Sequence, residues 1–411
     1  MKEIINLSEI CKHELDFNGE NISEYIGIVI KEGKPEVIFP RGFNLSSNNK
    51  EIRKEIILLI KVLNKYSKRK ESKIFLKEKE SILDGEGKEF PFKSAIWLIN
   101  DYENNGIYRE SYPCYKVDKT GNINWNRTLK TQIPYTLKNR LIYMDFVINE
   151  KREDINNQIT IIQMYIIEKC IEYVGWLYPN IYIEKGNKLP FSNQMCINIL
   201  IKELRLTNND NKKLLLKNMI NFLKYTSNKK SDENLTEYKT KKFECIWEDM
   251  LSEILGNENV RKYNISAKWC INGNVKETSK LRPDVILKKE KKIYVIDAKY
   301  YKYGITEKLI DLPQSSDITK QFIYSSYIKS KFEEIEEIYD AFILPYNGVR
   351  KNIFYVEGSA SIDIAEFFEK RVICILADTK EIMKQYINPS KKEEYRKNLM
   401  KLIDKENFLK G

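Results

Sequence analysis

The chain has 411 residues, of which 42% are hydrophobic and 31% are charged, and its formal net charge is +11. At about 150 residues per domain, this length predicts two or three domains with enough apolar residues to form their cores. No run of 18 apolar residues occurs, and the charged N-terminal segment lacks the apolar stretch of a signal peptide. We therefore expect a cytoplasmic protein that makes no contact with a membrane.

The cysteine and histidine content argues against several kinds of site. The seven cysteines include no CxxC pair, which indicates reduced thiols and argues against zinc. His13 is the single histidine, so a His-ligated metal, a histidine base and a Ser-His-Asp triad are all disfavoured. An enzyme of this composition would depend on carboxylates, lysine, tyrosine or cysteine.

The positive charge is concentrated in one part of the chain. Residues 201–300 contain 22 Lys/Arg against 14 Asp/Glu, whereas residues 1–50 contain 6 against 8. This distribution favours a phosphate backbone as the partner of the region after residue 200, although solvated lysine side chains would give the same counts.

Residues 1–150 are predicted to form a β-rich α+β domain. Segments 25–30 and 36–39 have the pattern of a strand pair around a turn that contains Glu32 and Gly33. Two helices follow, one with an apolar stripe that we interpret as core and one at 91–102. The stripe consists of Ile52, Ile56, Leu59, Ile60 and Leu63.

An aromatic and basic segment stands out at 121–128. Trp125 and Arg127 could form an edge that binds a partner or stacks on a base, but a hairpin with a core tryptophan and a surface arginine is the favoured interpretation.

The middle of the chain is predicted to be helical. Segments 156–178 and 192–225 carry long apolar and Lys-rich patterns, which we interpret as a spacer. Segment 227–242 is polar and charged without a hydrophobic period, so it is predicted to be a linker.

Helices and strands are predicted to alternate after this linker. In chain order they are helix 243–254, strand 263–271, a hairpin with strands 285–287 and 293–298, helix 315–330, strands 341–344 and 372–377, and a helical segment at 381–410. The first helix carries an apolar stripe, and Glu244, Glu248 and Asp249 lie off that stripe.

The hairpin brings together residues that can carry chemistry. The polar residues between its strands form the turn, so Asp284 and Asp297 face each other on neighbouring strands, with Cβ atoms about 5 Å apart. Because side chains alternate along a strand, Lys299 lies on the same face as Asp297, while Ile296 and Ala298 point into a core.

Two carboxylates this close repel each other unless one is protonated or a cation neutralises them. Oxygen ligands of this kind suit Mg²⁺, for which Mn²⁺ can substitute. Lys299 could then orient or deprotonate a water molecule, or stabilise charge that develops on a phosphate. Asp at a turn and Lys at a strand end are also ordinary surface residues, so the neighbouring elements must decide between these interpretations.

The sequence Pro283-Asp284, followed after twelve residues by Asp297-Ala298-Lys299, resembles the PD-(D/E)xK signature of metal-dependent nucleases. The resemblance implies an αβββαβ core, formed by the helix before the strands, strand 263–271, the hairpin, the next helix and a final strand. It also implies that Asp284, Asp297 and the backbone carbonyl of Ala298 bind Mg²⁺ and that Lys299 positions and activates water.

Two helices add to this resemblance. In such nucleases an acidic residue on the first helix reaches the metal, and Glu248 matches that position best, with Glu244 as the alternative. Gln321 and Tyr324 lie three apart on the later helix and resemble residues that support the lysine or contact the DNA backbone. Arg282, beside the first motif, is a further candidate for contact with DNA.

Nearly the whole chain resembles the LlaJI restriction endonuclease family, whose nuclease component is similar to McrC. The resemblance rests on Phe39-Pro40-Arg41-Gly42, segment 121–128, Arg282-Pro283-Asp284 and Asp297-Ala298-Lys299-Tyr300-Tyr301. It implies a subunit of a bacterial defence system that cuts double-stranded DNA together with a McrB-like AAA+ GTPase. No G-x4-G-K-[ST] motif occurs, so this chain is not expected to hydrolyse nucleotides itself.

The predicted fold class is therefore α+β or α/β, in three parts. Residues 1–150 form a β-rich adaptor that binds the partner, residues 151–235 a helical spacer and linker, and residues 236–411 the PD-(D/E)xK nuclease. Two alternatives stay open: a self-sufficient nuclease of repair or transposition with the same core, and a non-catalytic scaffold subunit that binds DNA.

Overall fold

The computed structural model describes residues 6–16, 18–31, 34–74, 91–137, 140–154, 157–228, 235–350, 352–368 and 370–408. The α-helices in these ranges are α1 (Leu7–Ile10), α2 (Asn49–Ile74), α3 (Phe92–Asn105), α4 (Trp125–Thr131), α5 (Gln158–Val174), α6 (Asn193–Leu206), α7 (Asp210–Asn228), α8 (Phe243–Leu255), α9 (Tyr303–Thr306), α10 (Ser315–Lys331), α11 (Thr379–Ile387) and α12 (Lys392–Phe408). The β-strands are β1 (Cys11–His13), β2 (Ile26–Lys31), β3 (Lys34–Phe39), β4 (Glu110–Asp118), β5 (Tyr135–Leu137), β6 (Arg140–Ile142), β7 (Phe146–Asp154), β8 (Leu235–Thr240), β9 (Ile265–Ile271), β10 (Asn274–Leu281), β11 (Val285–Lys289), β12 (Lys292–Ala298), β13 (Glu337–Tyr346), β14 (Phe354–Ala360) and β15 (Val372–Asp378). Within the described ranges, none of the helices has both the length and the apolar character needed to span a membrane.

These elements form two compact units. Unit 1 contains the described residues of 1–90 and 232–411, and unit 2 contains those of 91–231. The structure thus divides the chain differently from the predicted layout of 1–150, 151–235 and 236–411.

Strand pairing and helix packing join the N-terminal segment to the C-terminal part of the chain. β2 pairs antiparallel with β3 on one side and with β8 on the other, so the sheet order is β1-β3-β2-β8. The predicted strand pair is confirmed, while the turn residues Glu32 and Gly33 lie outside the described residues. Segment 227–242, which was predicted to be a linker, contains the strand β8. This strand forms because the edge of β2 offers it backbone hydrogen-bond partners. α2 packs on α8 and α11, and the five residues of its predicted stripe are buried.

A second sheet in unit 1 carries the residues of the predicted site. Its order is β11-β12-β13-β15-β14, with β12, β13 and β15 parallel. α10 connects β12 to β13, as a parallel pair requires a crossover. Ile293 and Val295 pack with Tyr324 of α10 on one face. On the other face lies α8, where the Trp247 indole nitrogen donates a hydrogen bond of 3.3 Å to the Ile343 carbonyl.

The predicted αβββαβ order needs a correction at its first strand. Within the described chain, β9 pairs with β10 alone, in a separate two-stranded ribbon, and does not join the five-stranded sheet. Most described side chains of this ribbon are exposed, so its apolar residues are not packed against the five-stranded sheet. The edge strand β14, which the sequence pattern did not predict, pairs antiparallel with β15 instead.

Unit 2 combines a helical cluster with short strand pairs. α3, α5 and α7 pack together, and α6 packs on α7. The helices predicted in the middle segment are confirmed, but they are not a spacer, because their buried residues form a core together with α3. β4 pairs antiparallel with β7, and β5 pairs with β6.

The favoured interpretation of segment 121–128 was wrong for the hairpin and the core tryptophan, whereas Arg127 is exposed, as expected for a surface arginine. Trp125 begins α4 and is 53% exposed, rather than being a core residue of a hairpin. The Asn124 side chain caps this helix by accepting a hydrogen bond of 3.1 Å from the Arg127 backbone N–H. The Arg127 guanidinium lies 3.5 Å from the centre of the Tyr115 ring.

A carboxyl group lies inside the core of unit 1. Asp340 on β13 is 5% exposed, and the Gln321 side-chain amide donates a hydrogen bond of 3.2 Å to it. Burial raises the pKa of Asp340 to about 7, and Ser325, Lys370 and Gln321 offset this only in part. The folded protein therefore favours the protonated form of Asp340.

This buried acid predicts a dependence of stability on pH. Because the pKa is higher in the folded than in the unfolded chain, the stability contributed by Asp340 is full below about pH 4 and is lost as pH rises to about 7. Asp340→Asn should leave the thermal unfolding temperature almost unchanged near pH 3.5 and raise it at pH 8, where the gain in unfolding free energy is at most the roughly 4 kcal/mol that such a pKa shift represents.

Calorimetry of the wild type and the variant at both pH values measures this difference. The exposed Asp363→Asn provides the matched control and should show the same unfolding temperature as the wild type. A variant that is equally or less stable than the wild type at pH 8 contradicts the prediction.

Candidate active site

The hairpin of β11 and β12 places two carboxylates opposite each other. Val285 pairs with Ile296, so the register continues to Asp284 opposite Asp297. Glu290 in the turn adopts a positive φ of 54°, which closes the hairpin over two residues. The Asp284 carboxylate accepts a hydrogen bond of 2.9 Å from the Ala298 backbone N–H. The predicted hairpin and its register are confirmed.

Three carboxylates act on one another at this position. Asp297 is 3% exposed. Burial, together with the charges of Asp297 and Glu248, holds the pKa of Asp284 well above its ordinary value. Burial and the charge of Asp297 likewise raise the pKa of Glu248. The site thus concentrates more negative charge than it can hold without a proton or a cation.

Lys299 is fixed between two of the carboxylates. Its ammonium lies 2.6 Å from an Asp297 oxygen and 2.7 Å from an Asp317 oxygen. Burial alone would lower the pKa of Lys299, but Asp297 and Asp317 outweigh it and raise the pKa above its usual range. In this arrangement Lys299 is a positioned cation rather than a ready proton acceptor.

Asp317 and Lys320 were not found from the sequence. Asp317 also accepts a hydrogen bond of 2.9 Å from the Tyr301 hydroxyl, and Lys320 approaches Asp297 to 4.0 Å. A signal for both was present, because Asp317, Lys320, Gln321 and Tyr324 follow the i, i+3, i+4, i+7 spacing of one helix face. A polar stripe on that face of α10 marks the side that meets the carboxylates.

Gln321 and Tyr324 support the sheet and the segment that leads into the hairpin. Gln321 is 1% exposed, and its amide donates a hydrogen bond of 2.7 Å to the Val295 carbonyl. The Tyr324 hydroxyl donates one of 2.9 Å to the Arg282 carbonyl. The structure therefore places Gln321 in the interior, away from solvent, whereas the exposed Arg282 side chain remains available to a ligand.

The acidic residues Glu244, Glu248 and Asp249 of α8 lie in different surroundings. Glu248 and the exposed Glu244 both line a cleft beside Lys299. Asp249 accepts a hydrogen bond of 2.6 Å from the Tyr386 hydroxyl and pairs with Arg69 at 3.2 Å. The charge of Asp297 contributes to the raised pKa of Glu248, which places the Glu248 carboxyl near the opposed aspartates.

The cleft has a volume of about 390 Å³, and the N-terminal segment forms part of its wall. Its lining includes Glu14, Arg41, Glu248, Ala298, Lys299 and Tyr300. Both parts of unit 1 are therefore needed to build the surface next to the carboxylates.

Glu14, Arg41 and Tyr300 form a buried cluster, which we call the clamp. The Arg41 guanidinium pairs with Glu14 at 2.8 Å and donates a hydrogen bond of 2.8 Å to the Tyr300 carbonyl. The Tyr300 hydroxyl donates one of 2.7 Å to Glu14 and accepts one of 2.9 Å from the Arg41 backbone N–H. The clamp therefore fixes the residue that directly follows Lys299.

Gly42 explains why the clamp can form next to the second sheet. It adopts a φ of +67°, and a Cβ there would lie 2.6 Å from the backbone nitrogen of Tyr346. Only glycine permits this close approach, which holds the segment Phe39-Pro40-Arg41-Gly42 against the end of β13.

The residues present fit a divalent cation such as Mg²⁺. No group of three or more His, Cys, Asp and Glu side chains in the described ranges is arranged as a metal site. Mg²⁺, however, needs only one or two carboxylates and completes its shell with water and phosphate oxygens. Asp284 and Asp297 are two such carboxylates, and the repulsion between them is the kind that a cation relieves.

The sequence relationships of the chain are those of a nuclease subunit of a restriction system. Residues 25–405 match the family model of the LlaJI restriction endonuclease, and the chain belongs to this family. A relative is the Type II restriction enzyme BsuMI component YdjA of Bacillus subtilis (strain 168), which is 26% identical over 381 residues, covering 88% of this chain and 80% of the relative.

Among the solved structures that the chain resembles is a refined half-complex from the tetradecameric assembly of Thermococcus gammatolerans McrB AAA+ hexamers with bound McrC. The match has a TM-score of 0.34 and 14% identity, and it covers 89% of this chain and 82% of the other.

The clamp predicts a large loss of stability when one charge is removed. Arg41→Gln should lower the free energy of unfolding by about 3 kcal/mol, because Glu14 would remain buried without its ionic partner. Arg350→Gln is the matched control, since Arg350 pairs with Glu357 at 3.5 Å near the surface and should contribute less than about 1 kcal/mol.

Urea denaturation of the full chain measures both losses. A double variant that also carries Glu14→Gln should recover part of the loss, as expected for a coupled pair. Equal, small effects of Arg41→Gln and Arg350→Gln would show that the clamp does not hold unit 1 together.

Proposed function

We propose that the protein is a Mg²⁺-dependent endonuclease subunit that hydrolyses double-stranded DNA together with a McrB-like AAA+ GTPase. The observation that carries this proposal is the direct opposition of Asp284 and Asp297, with Lys299 fixed beside them at the wall of a cleft. In a chain of a restriction endonuclease family, this arrangement supports a phosphodiesterase site of the PD-(D/E)xK type.

Asp284, Asp297 and the backbone carbonyl of Ala298 would hold Mg²⁺, or Mn²⁺ in its place. When bound, the ion polarises the scissile phosphate and lowers the pKa of a coordinated water. The carboxylates keep the water and the phosphate within reach of each other, which supplies the orientation that a bimolecular reaction in solution lacks.

Lys299 would act through its charge. Two carboxylates hold it as an ammonium, so it donates hydrogen bonds to the attacking water or to the phosphate oxygens as negative charge develops there. Asp317 restricts the position of the ammonium and thereby the direction of these bonds.

Glu248 is suited to accept the proton that the water loses, because its raised pKa lies closer to neutrality than that of an ordinary glutamate. The water oxygen forms a bond to phosphorus, the bond from phosphorus to the 3′ oxygen breaks, and the leaving oxygen takes a proton from solvent. The products are a 3′-hydroxyl and a 5′-phosphate.

Substitutions in the site test this chemistry. Asp284→Asn, Asp297→Asn and Lys299→Gln should each reduce cleavage by roughly a hundredfold or more while DNA affinity stays within a few-fold of wild type. Cleavage by the wild type should require Mg²⁺ or Mn²⁺ and stop with EDTA, whereas Ca²⁺ should permit binding alone.

Plasmid cleavage and electrophoretic mobility shift, run on the same preparations, separate the two effects. The exposed Asp363→Asn and Lys289→Gln serve as controls with the same changes of charge. Wild-type cleavage by any of the three site variants would refute the assignment, and DNA binding without cleavage by the wild type, even with its partner, would favour the scaffold alternative.

An AAA+ partner is supported by two properties of this chain. Its sequence contains no P-loop motif, so energy for movement along DNA would have to come from another subunit. Unit 2 also exposes many large apolar side chains, as surfaces that bind proteins often do. Among its described residues between 112 and 144 these are Tyr112, Tyr115, Val117, Trp125, Leu129, Ile133, Tyr135, Leu141, Ile142 and Met144.

The helix α4 offers the sharpest test of partner binding. Trp125 and Leu129 lie four residues apart on one face and are 53% and 59% exposed. Trp125→Ala combined with Leu129→Ala should lower partner-stimulated cleavage at least about tenfold without changing DNA affinity, since tryptophan is enriched among the few interface residues whose truncation costs about 2 kcal/mol or more.

Leu206→Ala, at an apolar residue of α6 that is 68% exposed, is the matched control in the same unit. Cleavage and GTP hydrolysis are measured with a purified McrB-like AAA+ GTPase as the partner. A wild-type response from the double variant would place the partner elsewhere, and specific cutting by the chain alone would favour the self-sufficient nuclease.

A further inference from the structure

The described side chains of the β9–β10 ribbon are mostly exposed, on both of its faces. Its two strands are joined by Asn272 and Gly273, whose φ angles of 51° and 76° suit a tight hairpin turn. Trp269 is 59% exposed, Ile271 57% and Val275 65%. A two-stranded hairpin is only marginally stable in water, so large apolar residues on both of its faces indicate a surface that is covered when the protein works.

The base of the ribbon opens into a second cleft, which we call the basic cleft. Its volume is about 400 Å³, and it is lined by Asn264, Lys280, Leu281, Arg282, Lys320 and Tyr324. Lys320 also lies 4.0 Å from Asp297. The basic cleft therefore connects the ribbon to the carboxylates of the active site.

The charge of this region is strongly positive. Residues 261–282 contain six Lys/Arg and one acidic residue, Glu277. The sign is opposite to that of the carboxylate centre next to it, so the ribbon and the basic cleft attract a polyanion that the centre alone would repel. This contrast favours a nucleic acid over an acidic or neutral protein surface as the occupant.

Each face of the ribbon combines apolar and basic groups. Trp269 lies directly opposite Lys276, on the same face as Ile271, because side chains two apart share a face. Lys268 faces Glu277 on the other side, at 3.9 Å, with both side chains more than half exposed. Such a weak, solvated pair leaves Lys268 free to exchange its partner for a phosphate.

We propose that the β9–β10 ribbon enters a groove of duplex DNA and that the basic cleft at its base holds a backbone phosphate next to the one being cut. The major groove is wide enough for a two-stranded ribbon. Lys268 and Lys276 then contact phosphates on the groove walls, and Trp269 packs on sugars or base edges. This deepens the proposed function, on which it rests for the identity of the substrate.

Binding measurements test the ribbon without any requirement for cleavage. The parent protein is the full chain with Asp284→Asn, and the probe is a 30-base-pair fluorescent duplex titrated at several salt concentrations. Lys268→Gln with Lys276→Gln should raise Kd about tenfold and reduce the slope of log K against log salt by about 2, because each lysine neutralises one phosphate. Trp269→Ala should raise Kd while leaving the slope unchanged.

Lys401→Gln with Lys405→Gln removes the same charge from exposed positions of α12 and controls for net charge. Its Kd and slope should match the parent. If this control weakens binding as much as the ribbon variant, the effect is one of overall charge and the proposal is overturned.

A cross-linking experiment tests independently whether the ribbon lies in a groove of the duplex. Of the seven cysteines, all of them in described ranges, Cys270 is the one that is exposed, and it lies on β9. Its thiolate should displace the leaving thiol from a duplex that carries an activated disulfide tethered to a base in the groove, which leaves a disulfide between protein and DNA, and Cys270→Ser should abolish this product. Absence of the cross-link from the parent protein, under conditions in which it binds the duplex, would overturn the proposal.

The outcomes separate the ribbon from the active site. If the ribbon variants lose DNA binding but the wild type never cuts DNA, the ribbon proposal is supported and the nuclease proposal is refuted. If the wild type cuts DNA but the ribbon variants bind it as tightly as the parent, the nuclease proposal is supported and the ribbon proposal is refuted. Ribbon variants that bind DNA as the parent does but lose stimulation by the AAA+ partner would identify the ribbon as a protein-binding surface and overturn the proposal.

Discussion

The forced proximity of Asp284 and Asp297 is the constraint on which the site depends. Backbone hydrogen bonds of the hairpin fix the register, and β12 is held on its other side by β13, so the two carboxylates cannot separate without disrupting the sheet. Their repulsion has to be compensated locally. Lys299 supplies one positive charge, yet Asp317 and Glu248 add further negative charge, which the proposed divalent ion would offset.

The N-terminal segment helps to hold Lys299 in position. A lysine next to the end of a strand would ordinarily sample many positions, but here the following residue, Tyr300, is fixed by Glu14 and Arg41 from the other end of the chain. Two further contacts join the N-terminal segment to the C-terminal part of the chain: β8 pairs with β2, and α8 packs on α2. The segment that the sequence analysis assigned to a partner-binding domain thus forms part of the unit that carries the carboxylates. Unit 2, which lies between the two parts of unit 1 in the sequence, is the better candidate for the adaptor.

Charge is distributed in a way that suits a polyanionic substrate. The carboxylate centre is acidic, whereas Lys280, Arg282 and Lys320 line the cleft beside it. Under the proposed function, these basic residues would attract the phosphate backbone, and a bound cation would offset the repulsion between the carboxylates and the reacting phosphate. Part of the excess of positive charge between residues 201 and 300 lies beside the site, because Lys280 and Arg282 line this cleft.

Local patterns in the sequence determined much of unit 1. The hairpin and its register follow from two short apolar runs around a polar turn, and the stripe of α8 predicts its buried face, because period and turn chemistry are properties of neighbouring residues. The pairing of Asp284 with Asp297 was predictable for the same reason. Long-range pairing was not predictable in this way. Three features depend on residues up to 286 positions apart in the sequence: β8 completes the first sheet, β9 stays outside the second sheet, and Glu14 and Arg41 contact Tyr300. Only the tertiary structure decided these contacts, because nothing in a local period specifies which distant surface will satisfy an open strand edge or a buried charge.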